Sequence, residues 1–102
     1  MVRFEILLPL YSNDGNPIEQ EKFLDTNQEL VTQFGATSTD AVIVSGRWMY
    51  QGIIYDDRLI RIHVDTNESP SHREFFRQYK QKLKIRFQQE DIWITVQQID
   101  VL

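Results

Sequence analysis

The chain has 102 residues, 41% of them hydrophobic and 25% charged, with a formal net charge of −4 and no cysteine. That length fits a single domain over residues 1–102, with enough apolar content for one core and none of the bias of a disordered or fibrous chain. The missing cysteines exclude disulfides, thiol catalysis and thiolate metal sites, and the acidic balance argues against a nucleic-acid partner, whose phosphates it would repel.

Residues Arg3 to Tyr11 alternate, with Phe4, Ile6, Leu8 and Leu10 on one side and Arg3, Glu5 and Leu7 on the other. A period of two is the mark of a half-buried strand, and Pro9, having no N–H to give to a ladder, belongs near its end. Glu5 interrupts the apolar run and no small-residue cleavage site follows it, so neither a signal peptide nor a membrane span is expected. The expected setting is cytoplasmic, without membrane contact. The turn formers Ser12-Asn13-Asp14-Gly15-Asn16 then lead to a helix from about Pro17 to Phe34, with Asn16 as a possible cap, Pro17 at the first helical position and Gly35 as the stop. Its apolar stripe is Phe23, Leu24, Leu30, Val31 and Phe34, with Asn27 in the middle as an amide that needs partners.

The stretch from Ala41 to Val64 reads as a long β-hairpin turning at Gln51-Gly52. A two-residue turn sets Val44 opposite Leu59, which conflicts with placing Val42 and Val44 in the core beside Ile60, Ile62 and Val64. A bulge at Gly46 is the expected resolution. A second helix begins at the Ser69 cap with Pro70 in its first turn, and carries the stripe Phe76, Tyr79, Leu83 and Phe87, leaving Ile85 exposed. A last strand follows, with Ile92, Ile94 and Val96 inward and a change of phase after Gln97-Gln98. The acidic surplus within residues 17–34 and the basic surplus within 69–89 are expected to be solvated helix faces.

The order strand, helix, strand, strand, helix, strand predicts an α+β, ferredoxin-like βαββαβ sandwich. Right-handed crossovers give a four-stranded antiparallel sheet in the order 4-1-3-2, with both helices on one face and a long hairpin arm. The pattern Gly46-Arg47-Trp48 with Gly52 beyond it, the strand Leu59-Ile60-Arg61-Ile62-His63-Val64, and Phe87-Gln88-Gln89-Glu90 with Ile92 resemble a family of short bacterial proteins known as a domain of unknown function. That resemblance covers most of the chain, is structural in character and implies no catalytic residues.

Two candidate surfaces follow from this fold. On the sheet face away from the helices, Glu5, Arg61, His63 and Trp93 come together with Leu7 and Thr95, a set able to hold an anion, stack a ring or move a proton. The simpler reading is an amphipathic face covered by another subunit, with Arg61 paired to Glu5. On the hairpin arm, Trp48, Met49, Tyr50, Ile53 and Tyr55, with Ile54, carry more apolar surface than two strands hide against their own domain. A two-fold homodimer through the arm is expected, the alternative being an arm curled over its own sheet. No cofactor and no metal are expected, since His63 and Asp65 lack a third ligand. The leading expectation is a non-enzymatic, self-associating module; the second is a small-ligand-binding protein or small enzyme of the dimeric α+β-barrel kind that uses the free sheet face. An RNA binder of the RNA-recognition-motif type is the third and weakest reading, for want of aromatics on the central strands of that face.

Overall fold

The computed structural model describes residues 1–40 and 43–102. Strand β1 (Val2–Pro9) lies at the middle of an antiparallel sheet, between β4 (Ile53–Thr66) and β5 (Trp93–Gln98). Two short partners line the far side of β4: β2 (Ser38–Thr39) near its C-terminal end and β3 (Val44–Tyr50) along its N-terminal half. The sheet therefore has five strands, in the order β2-β4-β1-β5 with β3 added to β4, where four strands in the order 4-1-3-2 were expected. The correction arises inside the hairpin. Between Thr39 and Val44 the chain advances five residues while its partner moves three, from Ile62 to Leu59, so the register shifts by two and the expected second strand is described as two, β2 and β3.

Because the excess is two, side-chain alternation survives the break. Val44 stands opposite Leu59 on the face away from the core, and the conflict that called for a bulge at Gly46 does not arise. Gly46 is in regular register with Asp57; a Cβ there would lie 3.1 Å from Leu59 Cδ1, so the glycine serves close packing, not a bulge. The expected core position of Val42 falls outside the described residues. At the tip Tyr50 pairs with Ile53, and Gln51 (φ 51°) and Gly52 (φ 78°) both take positive φ, as a two-residue type I′ turn requires.

In β1, Val2, Phe4, Ile6 and Leu8 are buried and Arg3, Glu5 and Leu7 are not. Pairing with β5 ends at Leu7, so Pro9 lies where that neighbour has already left, and Leu10 N–H resumes with Arg58 O at 2.8 Å. The buried face of β1 meets Ile62 and Val64 of β4, and Ile94 and Val96 of β5 pack at the rim of the same core. Two helices cover this face, α1 (Gln20–Phe34) and α2 (Pro70–Arg86), through Leu30 from the first and Phe76, Tyr79, Leu83 and the cap residue Phe87 from the second. Phe4, Phe76 and Phe34 form a stacked column with ring centroids 4.1 and 5.3 Å apart.

Helix α1 starts three residues later than expected. Ile18 N–H bonds to Leu10 O at 2.9 Å and Tyr11 bridges Pro17, which keeps the chain extended past the proline. Asn16 is held by the Asp14 carboxylate instead of capping the helix. The stripe is also narrower than expected, since Leu24 and Val31 are exposed and the fully buried neighbour is Thr26. Asn27 is satisfied, giving its amide N–H to Phe23 O (3.2 Å) and accepting from Thr37 Oγ1 (3.2 Å). In α2 the Ser69 cap accepts from His72 N–H, Pro70 opens the first turn and Ile85 is exposed, all as the sequence indicates.

The uneven helix charges are used between the helices. Arg86 grips the Glu29 carboxylate with two N–H donors at 2.9 and 2.8 Å and gives a third bond to Thr26 Oγ1. Lys82 Nζ reaches Glu29 at 2.9 Å, and the buried Tyr79 hydroxyl donates to it at 2.8 Å. The Arg86 hydrogen bonds hold the Glu29 carboxyl down at about 2, whereas burial, followed by the nearby Glu29 charge, pushes the Tyr79 phenol up. Among the described residues no helix is long and apolar enough to cross a membrane.

Candidate functional site

The strand register fixes what the uncovered sheet face presents. Across β4, β1 and β5 it reads in rows: Asp65, Arg3 and Gln97; then His63, Glu5 and Thr95; then Arg61, Leu7 and Trp93. Cross-strand neighbours on one face interact directly, so each row is a unit of contact. In the first, Arg3 holds Asp65 in a two-pronged pair at 2.8 and 3.0 Å, and its hydrogen bonds lower the Asp65 carboxyl from its ordinary value. Asp65 is thereby engaged away from His63. Among the described residues no three His, Asp or Glu side chains gather closely enough to hold a metal ion.

The sequence grouped Glu5, Arg61, His63 and Trp93; the structure places all four on this face but divides them. Arg61 lies between two carboxylates, with Nη1 3.1 Å from Asp40 Oδ2 and Nε 3.7 Å from Glu5 Oε2. Asp40 was not anticipated, because it precedes the expected strand; it reaches the face by continuing the register of β2, its N–H bonded to Arg61 O at 2.9 Å. His63 sits between Ser38 and Glu5, and its Nδ1 is shielded without a hydrogen-bond partner, as is Arg61 Nε. The result is a compact charged cluster of two carboxylates, one guanidinium and one imidazole. Its pairing is suited to holding strands β1, β2 and β4 together.

Trp93 belongs elsewhere. It stands across Leu7 from Arg61 and forms one wall of a cleft of about 410 Å³. The floor is Leu7, Pro9 and Leu59, and the opposite wall is Trp48 from the arm. The arm carries Trp48 there because the type I′ turn pairs Trp48 with Tyr55 and Gly46 with Asp57 on the face shared with Leu59. Trp48 stacks on Tyr55 with centroids 4.5 Å apart and its indole N–H donates to the Asp57 carboxylate, so ring and carboxylate orient one another. Absence of a side chain at Gly46 leaves the cleft open between them. Leu7 was expected on this face, whereas Asp57 and Leu59 are lining residues that the sequence reading passed over.

The same alternation divides the candidate interface residues. Trp48 and Tyr55 are half-buried against each other on the cleft side. Tyr50 and Ile53 flank the turn, while Met49 and Ile54 pair on the opposite side of the arm, the side of the sheet that bears the helices. On this side Met49 is 67% exposed and Ile54 55%, and the last ion pair before them is Arg47 with Asp56, at 2.6 Å; Ile53, on the other side, is 57% exposed. The arm thus curls far enough to cover part of its own sheet with Trp48 and still leaves an apolar tip uncovered.

No family model matches the chain, and no curated protein matches it. Solved structures do. A phage SAM lyase in complex with S-methyl-5′-thioadenosine superposes with a TM-score of 0.72 at 14% identity, covering 95% of this chain and 80% of that one. A phage SAM lyase in the apo state gives 0.63 at 19% identity over 94% of this chain and 78% of the other. A single-substitution variant of CutA1 from Pyrococcus horikoshii OT3 gives 0.62 at 12% identity, covering all 100% of this chain and 86% of its own. At these identities the likeness is one of fold, an α+β sheet with two helices.

Proposed function

We propose that this chain is a non-enzymatic, self-associating module of the ferredoxin-like type, assembled most simply as a two-fold homodimer through its hairpin arm. The resemblance to the bacterial family of unknown function belongs to the same proposal. The observation that carries it is the uncovered arm: Met49 and Ile54, 67% and 55% exposed, pair on one face of the two-stranded arm, and Ile53 at its tip is 57% exposed. Burying such surface yields about 25 cal/mol per Å², and a specific pair of proteins buries roughly 800 Å² on each side, with aromatic residues such as Tyr50 as anchors. A second copy is the occupant because an isologous contact places the same Met49 and Ile54 patch against itself and closes after one partner.

The test is sedimentation equilibrium at micromolar concentration. The wild-type chain is expected to be a dimer, and the double variant Met49→Ser, Ile54→Ser a folded monomer, since neither side chain contributes to the core. A wild-type chain that remains monomeric at high concentration refutes the proposal.

A second reading, small-ligand binding on the sheet face, is favoured by one observation: the cleft between Trp48 and Trp93 has the volume and mostly apolar lining of a small-molecule site. It is supported by the likeness in fold to a phage SAM lyase in complex with S-methyl-5′-thioadenosine. The two readings are compatible, because the exposed pair Met49 and Ile54 lies on the side of the arm away from the cleft.

A further inference from the structure

We infer that the cleft between Trp48 and Trp93 binds a flat heteroaromatic ring bearing a positive charge, with Asp57 as the counter-charge. This rests on the ligand-binding reading and names the class of ligand. The volume of about 410 Å³ suits a fused two-ring compound. The walls are two indoles and the floor is aliphatic, which favours a ring lying flat against π faces with its edges against Leu7 and Leu59. Indole is the strongest aromatic partner for a cation, and its attraction grows where water is displaced, as over an apolar floor.

Charge decides between a cationic ring and a neutral one. The two other charged groups at the cleft have partners already: Arg47 is paired with Asp56 at 2.6 Å, and Asp91, at the rim, with Lys80 at 3.0 Å. Asp57 is different. It is half-buried on the cleft wall, accepts one hydrogen bond from the Trp48 indole, and among the described residues pairs with no Lys, Arg or His. A carboxylate fixed by a neutral donor keeps its charge available to a neighbour in the cleft. The side chain it is bonded to is one of the two rings that a ligand would stack against, so a single contact positions both the π face and the counter-charge.

The chain has two tryptophans, and both line the cleft, so the two indole N–H signals in an ¹H–¹⁵N spectrum report on it directly. The probes are 1-methylquinolinium, the neutral quinoline at pH 7.5 and the anionic quinoline-2-carboxylate. The expected result is a saturable shift of both indole signals with 1-methylquinolinium, at least tenfold tighter than with quinoline and with no response to the anion. Asp57→Asn keeps an acceptor for the Trp48 N–H and should bring the two affinities within about twofold of each other. Trp93→Ala, at an exposed position outside the core, should abolish the shift of the remaining indole. Equal affinity of the wild type for quinoline and its cation overturns the charge assignment while leaving the pocket in place. No saturable shift at either indole with any ring overturns the pocket as well.

Discussion

Replacing Glu29 by Gln isolates the charge at the junction of the two helices. In the folded chain its carboxyl is lowered from an ordinary 4.5 to about 2, first by the hydrogen bonds from Arg86, with Lys82 and Tyr79 adding to them and partial burial opposing. A carboxylate so displaced favours folding by about 3 kcal/mol if fully credited. Glu29 is 32% exposed and Lys82 more so, and solvent screening reduces the figure to about 1–2 kcal/mol. The sign follows from the lowered value: this stability is fully present above pH 4.5, where the unfolded carboxyl is also ionised, and is lost as pH falls toward 2. Urea unfolding of both proteins should therefore show Glu29→Gln about 1–2 kcal/mol less stable at pH 6.5, with about half of that gap gone at pH 3. Two-state analysis suits a folded chain of this size. A gap of equal size at both pH values would show that the loss comes from packing at Tyr79 and Thr26, and the electrostatic reasoning would fail.

Two further substitutions check the core and the turn. Leu83→Ala empties a fully buried position and should cost about 2–5 kcal/mol in the same assay, against well under 1 for Ile85→Ala, which is 80% exposed on the same helix; equal losses would place the wrong face inward. Gly52→Ala meets no atom within 4 Å but forces an L side chain to φ +78°, so its cost of about 1 kcal/mol should be confined to the arm, whereas Gln51→Asn should stabilise the same turn by a few tenths. Amide exchange at Trp48 and Tyr55 reads both changes.

Much of the fold was legible because the signals were strong and local. The alternation of β1, the Ser69-Pro70 start of α2 and the stripe Phe76, Tyr79, Leu83 and Phe87 each follow from a single period. The rows of the open face follow as well, because antiparallel register carries Glu5, Arg61, His63 and Trp93 to one side once the strands are ordered. What could not be read locally was the break between Thr39 and Val44. A register shift of two leaves no periodic mark, and the glycine inside the hairpin looked like a bulge when its role is to admit Leu59. The cleft escaped for a related reason. Trp48 pairs with Tyr55 and Gly46 with Asp57 in the register a two-residue turn dictates, but whether that arm bends toward Trp93 depends on sheet twist, which no short pattern encodes. Helix α1 began late because a backbone bond from Ile18 to Leu10, 2.9 Å long, outweighs the preference of Pro17 for a first turn.

Strand β4 runs for 14 residues through two different environments, and this gives one continuous element two lifetimes. From Leu59 to Thr66 it is flanked on one side by β1 and lies over the core, so its amides there should exchange with solvent only when the whole domain opens. From Ile53 to Arg58 its full-length partner is β3, Ile53 and Ile54 are exposed, and those hydrogen bonds can part while the body stays folded. Protection should fall sharply near Leu59, within a few residues of a strand with no break in its backbone. Anything that grips the arm would raise the slow end of that profile outward along β4, without altering a single contact in the core.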